Sequence, residues 1–152
     1  MTESRTTFTL TLFLLTSLLT GCALPSLKDR SQSEAFSQEQ TAGTRLGRAV
    51  GYEVENYPGL SGIATLQNPL DAFVARALLA EASDRSLDVQ YYIWQDDITG
   101  KLLLYSLYRA AERGVRVRLL LDDNGIAGMD EWLSALNHHD NVEVRLFNPF
   151  VI

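Results

Sequence analysis

Residues 86–123 read SLDVQYYIWQDDITGKLLLYSLYRAAERGVRVRLLLDD and hold a strand pattern, a helix pattern and a second strand pattern in direct succession. From Ser86 to Trp94, apolar and polar side chains alternate, and β-branched and aromatic residues dominate, which favours a strand. Leu102 to Arg113 carries apolar residues at helical spacing, and Gly114 is suited to end that helix. Val115 to Leu121 alternates again. This order predicts two parallel strands joined by a right-handed helical crossover.

The alternation of helix and strand continues on both sides of this segment. Asn68 and Pro69 open a helix that runs to about Ser83. Its apolar face carries Leu70, Phe73, Val74, Ala77 and Leu78. Met129 to Asn137 predicts a third helix, and Val142 to Phe147 predicts a third strand. We therefore predict an α/β fold in which three mostly parallel strands alternate with helices and the sheet is incomplete.

Polar residues follow each predicted strand. They are Gln95, Asp96 and Asp97 after the first strand, Asp122, Asp123, Asn124 and Gly125 after the second, and Asn148 after the third. Parallel strands end at one edge of the sheet, and ligands bind outside that edge in open α/β sheets. These residues therefore form a candidate site. The alternative interpretation is that they are solvated loops, because polar residues follow most strands.

Two other sets of residues could bind a metal ion, but neither pattern is specific. Asp122 and Asp123 have the carboxylates that divalent cations prefer, yet neighbours on an extended chain point to opposite sides. His138 and His139 are the only histidines, and they lie in a polar turn without further His or Cys at ligand spacing. We predict no metal and no cofactor.

Charge and aromatic content argue against a nucleic-acid partner. The net charge is −6 and no block of Lys or Arg is present, whereas phosphate backbones are bound by clustered positive charge. Tyr91, Tyr92 and Trp94 could form a stacking platform for bases. Aromatic residues on a strand are more often part of the core, and we favour that interpretation.

Residues 1–21 have the features of a secretory signal. Phe8 to Leu19 is an apolar run of twelve residues, shorter than the roughly 20 that span a bilayer. The sequence Leu19-Thr20-Gly21-Cys22 resembles the lipobox of bacterial lipoproteins, in which the cysteine thiol is joined to diacylglycerol and the signal is cut before it. We predict that Cys22 is a lipid attachment site and that the protein is anchored to a membrane of the bacterial envelope, facing the periplasm.

The residue after the cysteine, Ala23, favours the outer membrane. The alternative is a free or buried cysteine that follows an uncleaved apolar stretch. Residues 22–65 are polar and lack sustained periodicity, which predicts a flexible tether and a short lead-in. The domain itself is predicted to cover residues 66–152.

Four segments together resemble the opening of a phospholipase D superfamily domain of the cardiolipin synthase branch. They are Ser86 to Asp97, Leu102 to Leu104, Ala110 to Asp123, and Val142 to Phe150. The resemblance covers roughly residues 66–150, which is over half of the chain.

The resemblance implies a specific chemistry for the whole family. Its members have two such domains, each with a His-x-Lys-(x4)-Asp motif. One histidine attacks a phosphodiester to form a phosphohistidine, and the other acts as general acid and then as base. The lysines stabilise the charge that builds on the phosphoryl oxygens, and no metal is required. The substrate is a phospholipid, which is hydrolysed or transferred to a lipid hydroxyl.

This chain lacks the motif. Its two lysines, Lys28 and Lys101, are preceded two positions earlier by Ser26 and Thr99, so His-x-Lys occurs nowhere. We expect the chain to end, at Ile152, before the place of the first motif. The resemblance therefore assigns no catalytic residue. It supports scaffold positions and, near the site, Asp122 and Gly125.

Three functional interpretations follow. The first is an amino-terminal fragment of a phospholipase D-like enzyme of the envelope, inactive alone. The second is a non-catalytic lipoprotein that binds a partner. The third is an unrelated receiver-like domain, for which Asp96 and Asp97 are suitably placed after the first strand. That fold also needs a later lysine, and none follows Lys101.

Overall fold

The computed structural model describes residues 34–149, which fold into helices and one parallel sheet. The elements in chain order are α1 (Gln38–Thr41), α2 (Arg45–Asn56), α3 (Pro69–Ala82), β1 (Ser86–Tyr91), α4 (Ile98–Glu112), β2 (Arg116–Asp122), a 3-10 turn (Asp123–Gly125), α5 (Asp130–Asn137) and β3 (Val142–Phe147). Cys22 and the predicted signal lie outside the described residues.

The three strands pair in the order β1-β2-β3, and both pairings are parallel. Val89, Leu119 and Val144 stand side by side across the sheet. The predicted α/β class, with three parallel strands and an open sheet, is therefore confirmed. Parallel pairing brings the carboxyl ends of all three strands to one edge, as the sequence analysis assumed.

The core lies between the sheet and the helices, and β2 is at its centre. Val117, Leu119 and Leu121 of β2 are each at most 1% exposed, and Leu107 and Ala110 of α4 belong to the same apolar cluster. Burying a side chain of this size contributes about 1.5–3 kcal/mol. The alternation predicted from the sequence therefore directs one face of β2 into the core.

The opposite face of β2 carries Arg116, Arg118 and Leu120, all half-buried. Arg118 donates from Nε to one carboxylate oxygen of Asp88 on β1 at 2.6 Å and from Nη2 to the other at 2.7 Å. This hydrogen bond from Arg118 is the main reason why the pKa of the Asp88 carboxyl lies below its usual value. A paired charge across the strands suits a solvated face better than a buried one.

Helix α3 leaves much of its apolar face exposed. Leu70 is 73% exposed, Val74 49% and Leu78 61%, whereas Phe73 is half-buried and Ala80 is buried. Helix α3 packs against α4. Helical spacing of apolar residues therefore predicts the helix but does not show how much of its apolar face is buried.

Two element boundaries differ from the predicted ones. Strand β1 ends at Tyr91 rather than at Trp94, because the backbone turns away from β2 after that residue. Helix α4 begins at Ile98, four residues before the predicted start, because the Asp97 side chain caps it by accepting from the backbone N–H of Gly100. Its predicted end is confirmed by Gly114, whose φ of +87° is left-handed.

The segment before α3 contains two helices, α1 and α2, and the tether over residues 22–65 stays a prediction. Ser37 and Thr44 cap them by accepting from backbone N–H groups. Neither helix buries a residue, so both lie outside the core. The domain boundary at residue 66 stays a prediction. Among residues 34–149, no helix combines the length and apolar character needed to cross a membrane.

We predict that Gly100→Ala destabilises the fold, although alanine normally favours a helix over glycine. A Cβ at residue 100 would overlap the carbonyl oxygen of Gln95 and lie 3.0 Å from Nε1 of Trp94. We expect a loss of about 1–3 kcal/mol in the free energy of unfolding, measured by urea unfolding of the full chain with circular dichroism.

The matched control is Gly51→Ala in α2, where an added Cβ meets nothing within 4 Å. It should leave stability unchanged or raise it by about 0.5–1 kcal/mol. Equal effects of the two alanines would contradict the close packing at the start of α4.

Candidate functional site

Asp122 joins the carboxyl ends of β2 and β3. Its side chain is buried, at 7% exposure for the residue. One carboxylate oxygen accepts from the backbone N–H of Asn124 at 3.0 Å, and the other accepts from Nδ2 of Asn148 at 3.3 Å. Asn148 has a φ of +50°, a left-handed conformation that asparagine tolerates better than most residues. The structure thus brings the predicted Asp122 and Asn148 together.

Gly125 joins the carboxyl ends of β1 and β2. Its carbonyl oxygen accepts from the backbone N–H of Trp94 at 2.8 Å. A Cβ at residue 125 would overlap the carbonyl oxygen of Tyr92, so this close approach of two backbones requires glycine. The predicted site residues Asp122 and Gly125 therefore lie at one edge, and both hold neighbouring strand ends in place.

A cavity of about 160 Å³ lies beside Asp122. Its walls include Gln90, Tyr92, Leu120, Asp122 and Phe147. Tyr92 is 71% exposed, so the prediction that this aromatic residue belongs to the core is wrong, whereas Trp94 is buried as predicted. The cavity combines apolar walls with one carboxylate whose oxygens already accept hydrogen bonds. Neither the cavity nor its walls contain a histidine or a lysine among the described residues.

The carboxylates that follow β1 serve helix α4 rather than this cavity. Asp96 pairs with Nζ of Lys101 at 2.9 Å. Asp97 accepts from the backbone N–H of Gly100 and from the hydroxyl of Thr99, both at 2.7 Å. The hydrogen bond from Gly100, followed by the one from Thr99, holds the pKa of the Asp97 carboxyl below its usual value. The candidate site is therefore smaller than the sequence suggested.

The remaining candidates are not brought to this edge. His139 contacts Glu112, with Nε2 at 3.0 Å from a carboxylate oxygen, and His138 is exposed. Across residues 34–149, no three His, Cys, Asp or Glu side chains are grouped as a metal site would require. Cys22, the predicted lipid attachment site, lies outside the described residues.

The sequence analysis missed the specific roles of Trp94 and Asn148. The signals were present: Gly125 follows the second strand within a polar turn, and Asn148 directly follows the third strand. The sequence does not show which strand end the backbone of Gly125 or the side chain of Asn148 will contact.

Comparison with known proteins relates this chain to a cardiolipin synthase. It is 56% identical over 106 residues to cardiolipin synthase C of Escherichia coli K12, a match that covers 70% of this chain and 22% of that protein. It is 37% identical over 109 residues to an uncharacterized protein of Helicobacter pylori, covering 72% of this chain and 22% of the relative. The chain thus spans about a fifth of the length of the curated relatives it matches.

Two further comparisons add little. No protein-family model matches the chain. Among solved structures, the archaeal chromatin protein TrmBL2 matches 70% of this chain and 42% of its own, with a TM-score of 0.46 and 14% identity, and this likeness carries no argument. The sequence similarity supports the coarser prediction: the chain resembles a piece of a cardiolipin synthase.

We predict that Asp122 and Asn148 are energetically coupled. A double-mutant cycle with Asp122→Ala, Asn148→Ala and the double variant isolates the pair. Asp122→Ala alone should cost about 1–3 kcal/mol, because it removes two hydrogen bonds that a buried carboxylate accepts. The coupling should be about 0.5–1.5 kcal/mol, measured by urea unfolding near neutral pH. Strictly additive losses would show that the hydrogen bond between the two side chains contributes nothing.

Proposed function

We propose that this chain is the lipid-anchored amino-terminal part of a cardiolipin synthase-type enzyme of the phospholipase D superfamily. The observation that carries the proposal is the 56% identity to cardiolipin synthase C over 106 residues. In the proposed whole enzyme, the substrate is a phospholipid, and the reaction is phosphodiester cleavage or phosphatidyl transfer to a lipid hydroxyl. The sheet formed by β1, β2 and β3 supplies scaffold for that site.

The chain alone is proposed to be inactive. The family resemblance assigns phosphodiester attack to a histidine in a His-x-Lys motif, and no such motif occurs in the 152 residues. Without that nucleophile and the lysine that stabilises phosphoryl charge, the two largest contributions to the reaction are absent. Asp122 and Gly125 are proposed to hold the strand ends that border the site in the whole enzyme.

The proposed location is the bacterial envelope, with the chain anchored through Cys22 and facing the periplasm. The support is the sequence Leu19-Thr20-Gly21-Cys22 after an apolar run of twelve residues. Several acyl chains hold a protein at a membrane far more firmly than a single one. An anchor would keep the attached domain close to its lipid substrate.

A chimera tests the enzymatic proposal. The aligned 106 residues of this chain replace the matching segment of E. coli cardiolipin synthase C, and the chimera is expressed in cells that lack their own cardiolipin synthases. We expect cardiolipin in the lipid extract, because the scaffold is equivalent, and none from the unmodified 152-residue chain.

A chimera with Gly125→Ala is the matched control and should make less cardiolipin at equal protein level. A chimera that accumulates as folded protein yet makes no cardiolipin would contradict the proposal and favour a non-catalytic lipoprotein.

Metabolic labelling tests the anchor. The full chain is produced in a Gram-negative host with labelled palmitate, and membrane proteins are separated on a gel. We expect label on the wild-type chain and none on Cys22→Ser, which keeps a similar size but lacks the thiol that takes the lipid. An unlabelled wild-type chain, present at the same level, would rule out the lipoprotein assignment.

A further inference from the structure

The outer side of β1 has no neighbouring strand in the described part of the chain, because β1 begins the order β1-β2-β3. The backbone N–H of Arg116 donates to the carbonyl of Arg85 at 3.1 Å, and this bond sets the alternation of the ladder. The N–H and C=O of Val89 therefore point toward β2, whereas those of Asp88 and Gln90 point outward. Unpaired backbone groups of this kind bind a further strand.

The outer side of β3 differs, because the chain itself supplies hydrogen-bond partners there. The backbone N–H of Val142 donates to the carbonyl of His139 at 2.9 Å, and that of Val144 donates to Oδ1 of Asn137 at 2.8 Å. Both N–H groups point away from β2. Proteins protect a terminal strand from further pairing by covering it in this way. The sheet is therefore protected at β3 and open to extension at β1.

A groove of about 420 Å³ runs along the outer side of β1. It is lined by residues 87–91 of β1, by Leu79 of α3 and by Leu103 and Leu107 of α4. Val89 is only half-buried, and Leu79 is 51% exposed. The groove thus offers apolar side chains beside unpaired backbone groups. An extended peptide fits both, since it pairs through its backbone and places alternate side chains in pockets.

Helix α3 has an apolar surface that such a strand would cover. Arg76, Leu79 and Ala80 of this helix line the groove, and Phe73 and Ala80 belong to the core. In α/β folds, the apolar face of a helix is buried on the strands beneath it. A strand beside β1 would extend the sheet toward α3 and would cover Leu79.

The strand that fits this groove has to come from outside the described residues. The chain matches 22% of the length of cardiolipin synthase C. If the proposed function is right, roughly four-fifths of the enzyme lies beyond the matched segment, and a strand needs only about five or six residues. A segment of the same polypeptide is also held at high effective concentration, which favours it over a separate partner.

We propose that the outer side of β1 is a docking site for an extended segment from the remaining polypeptide of the enzyme, which adds to the sheet beside β1. The added segment hydrogen-bonds to the backbone of Asp88 and Gln90, and its alternate apolar side chains fill the groove below α3. This inference rests on the proposed function, because it needs the longer enzyme. It makes β1 an inner strand of the complete sheet.

Hydrogen exchange resolved to single amides tests the docking site. It is measured by mass spectrometry with electron-transfer fragmentation on the full 152-residue chain and on full-length E. coli cardiolipin synthase C, in the same detergent. In the chain alone, the amide of Val89 should be protected, and those of Asp88 and Gln90 should exchange almost as in an unstructured peptide. In the full-length enzyme, the amides aligned with Asp88 and Gln90 should exchange at least about 100-fold more slowly.

A proline at position 90 gives an independent test. Gln90→Pro removes an N–H that points outward, and proline is tolerated on terminal strands, so the 152-residue chain should still fold. In the chimera with cardiolipin synthase C, the same change should make trypsin cleavage about tenfold faster, as expected for one lost hydrogen bond. The matched control, Gln90→Ala, keeps the backbone N–H and should leave the chimera as resistant as it is without the substitution.

The outcomes distinguish the docking site from the proposed function. Outer amides that exchange equally fast in the chain and in the full-length enzyme would overturn the docking site, as would equal trypsin resistance of the Gln90→Pro and Gln90→Ala chimeras. Slow exchange of these amides in the chain alone would also overturn it, and a dimer detected by light scattering would then identify a second copy as the occupant. Protected amides in the full-length enzyme, with a chimera that makes no cardiolipin, would support the docking site and count against the proposed function alone.

Discussion

One backbone hydrogen bond, from the N–H of Trp94 to the carbonyl of Gly125, holds the edge of the sheet together. The ladder between β1 and β2 ends at the pairing of Tyr91 with Leu121, so this bond of 2.8 Å joins the chain beyond the last pair. It requires a residue without a side chain at position 125, because a Cβ there would overlap the backbone of Tyr92. The loops after the first two strands therefore behave as one unit.

Much of the surrounding arrangement depends on that link. With its backbone fixed, Trp94 turns its ring into the core against Tyr91. Residues 95–97 then lead directly into α4, where Asp97 caps the first turn. Asp122 lies at the end of β2, and its carboxylate accepts a hydrogen bond from Asn148, which follows β3. The edge is thus fastened across all three strands.

The distribution of charge on this edge is informative about function. Asp96 and Asp97 are committed to Lys101 and to the helix cap, and Asp122 is committed to neighbouring strand ends. These contacts stabilise the geometry of the edge. The edge is thus held by contacts between its own residues, within a chain that matches about a fifth of cardiolipin synthase C.

The sequence predicted the sheet well because its signals are local. The alternation in residues 116–121 alone determines which side of β2 is buried, and Gly114 marks the end of α4 through a left-handed φ. The sequence predicted the burial of side chains outside the sheet less well, because burial depends on which helices and strands pack against each other. Leu70 and Leu78 have helical spacing but are exposed, and Tyr92, which follows the end of β1, is exposed as well.

The same limit applies to the candidate site. Strand ends share an edge whenever strands are parallel, so the general location of Asp122 and Gly125 could be predicted. The partners of Asp122 and Trp94 could not, because they come from segments about 26 to 31 residues away in the chain, and local periodicity contains no information about such pairs.

Hydrogen exchange at the backbone amide of Trp94 is the most direct measurement of whether the strand ends form one fixed edge. If the bond to Gly125 holds the two loops together, this amide will exchange as slowly as those of Leu119 and Leu121 in the centre of the sheet. If it exchanges at the rate of an unstructured peptide while the amides of β2 remain protected, the loops are independent and the account of a preformed edge is wrong.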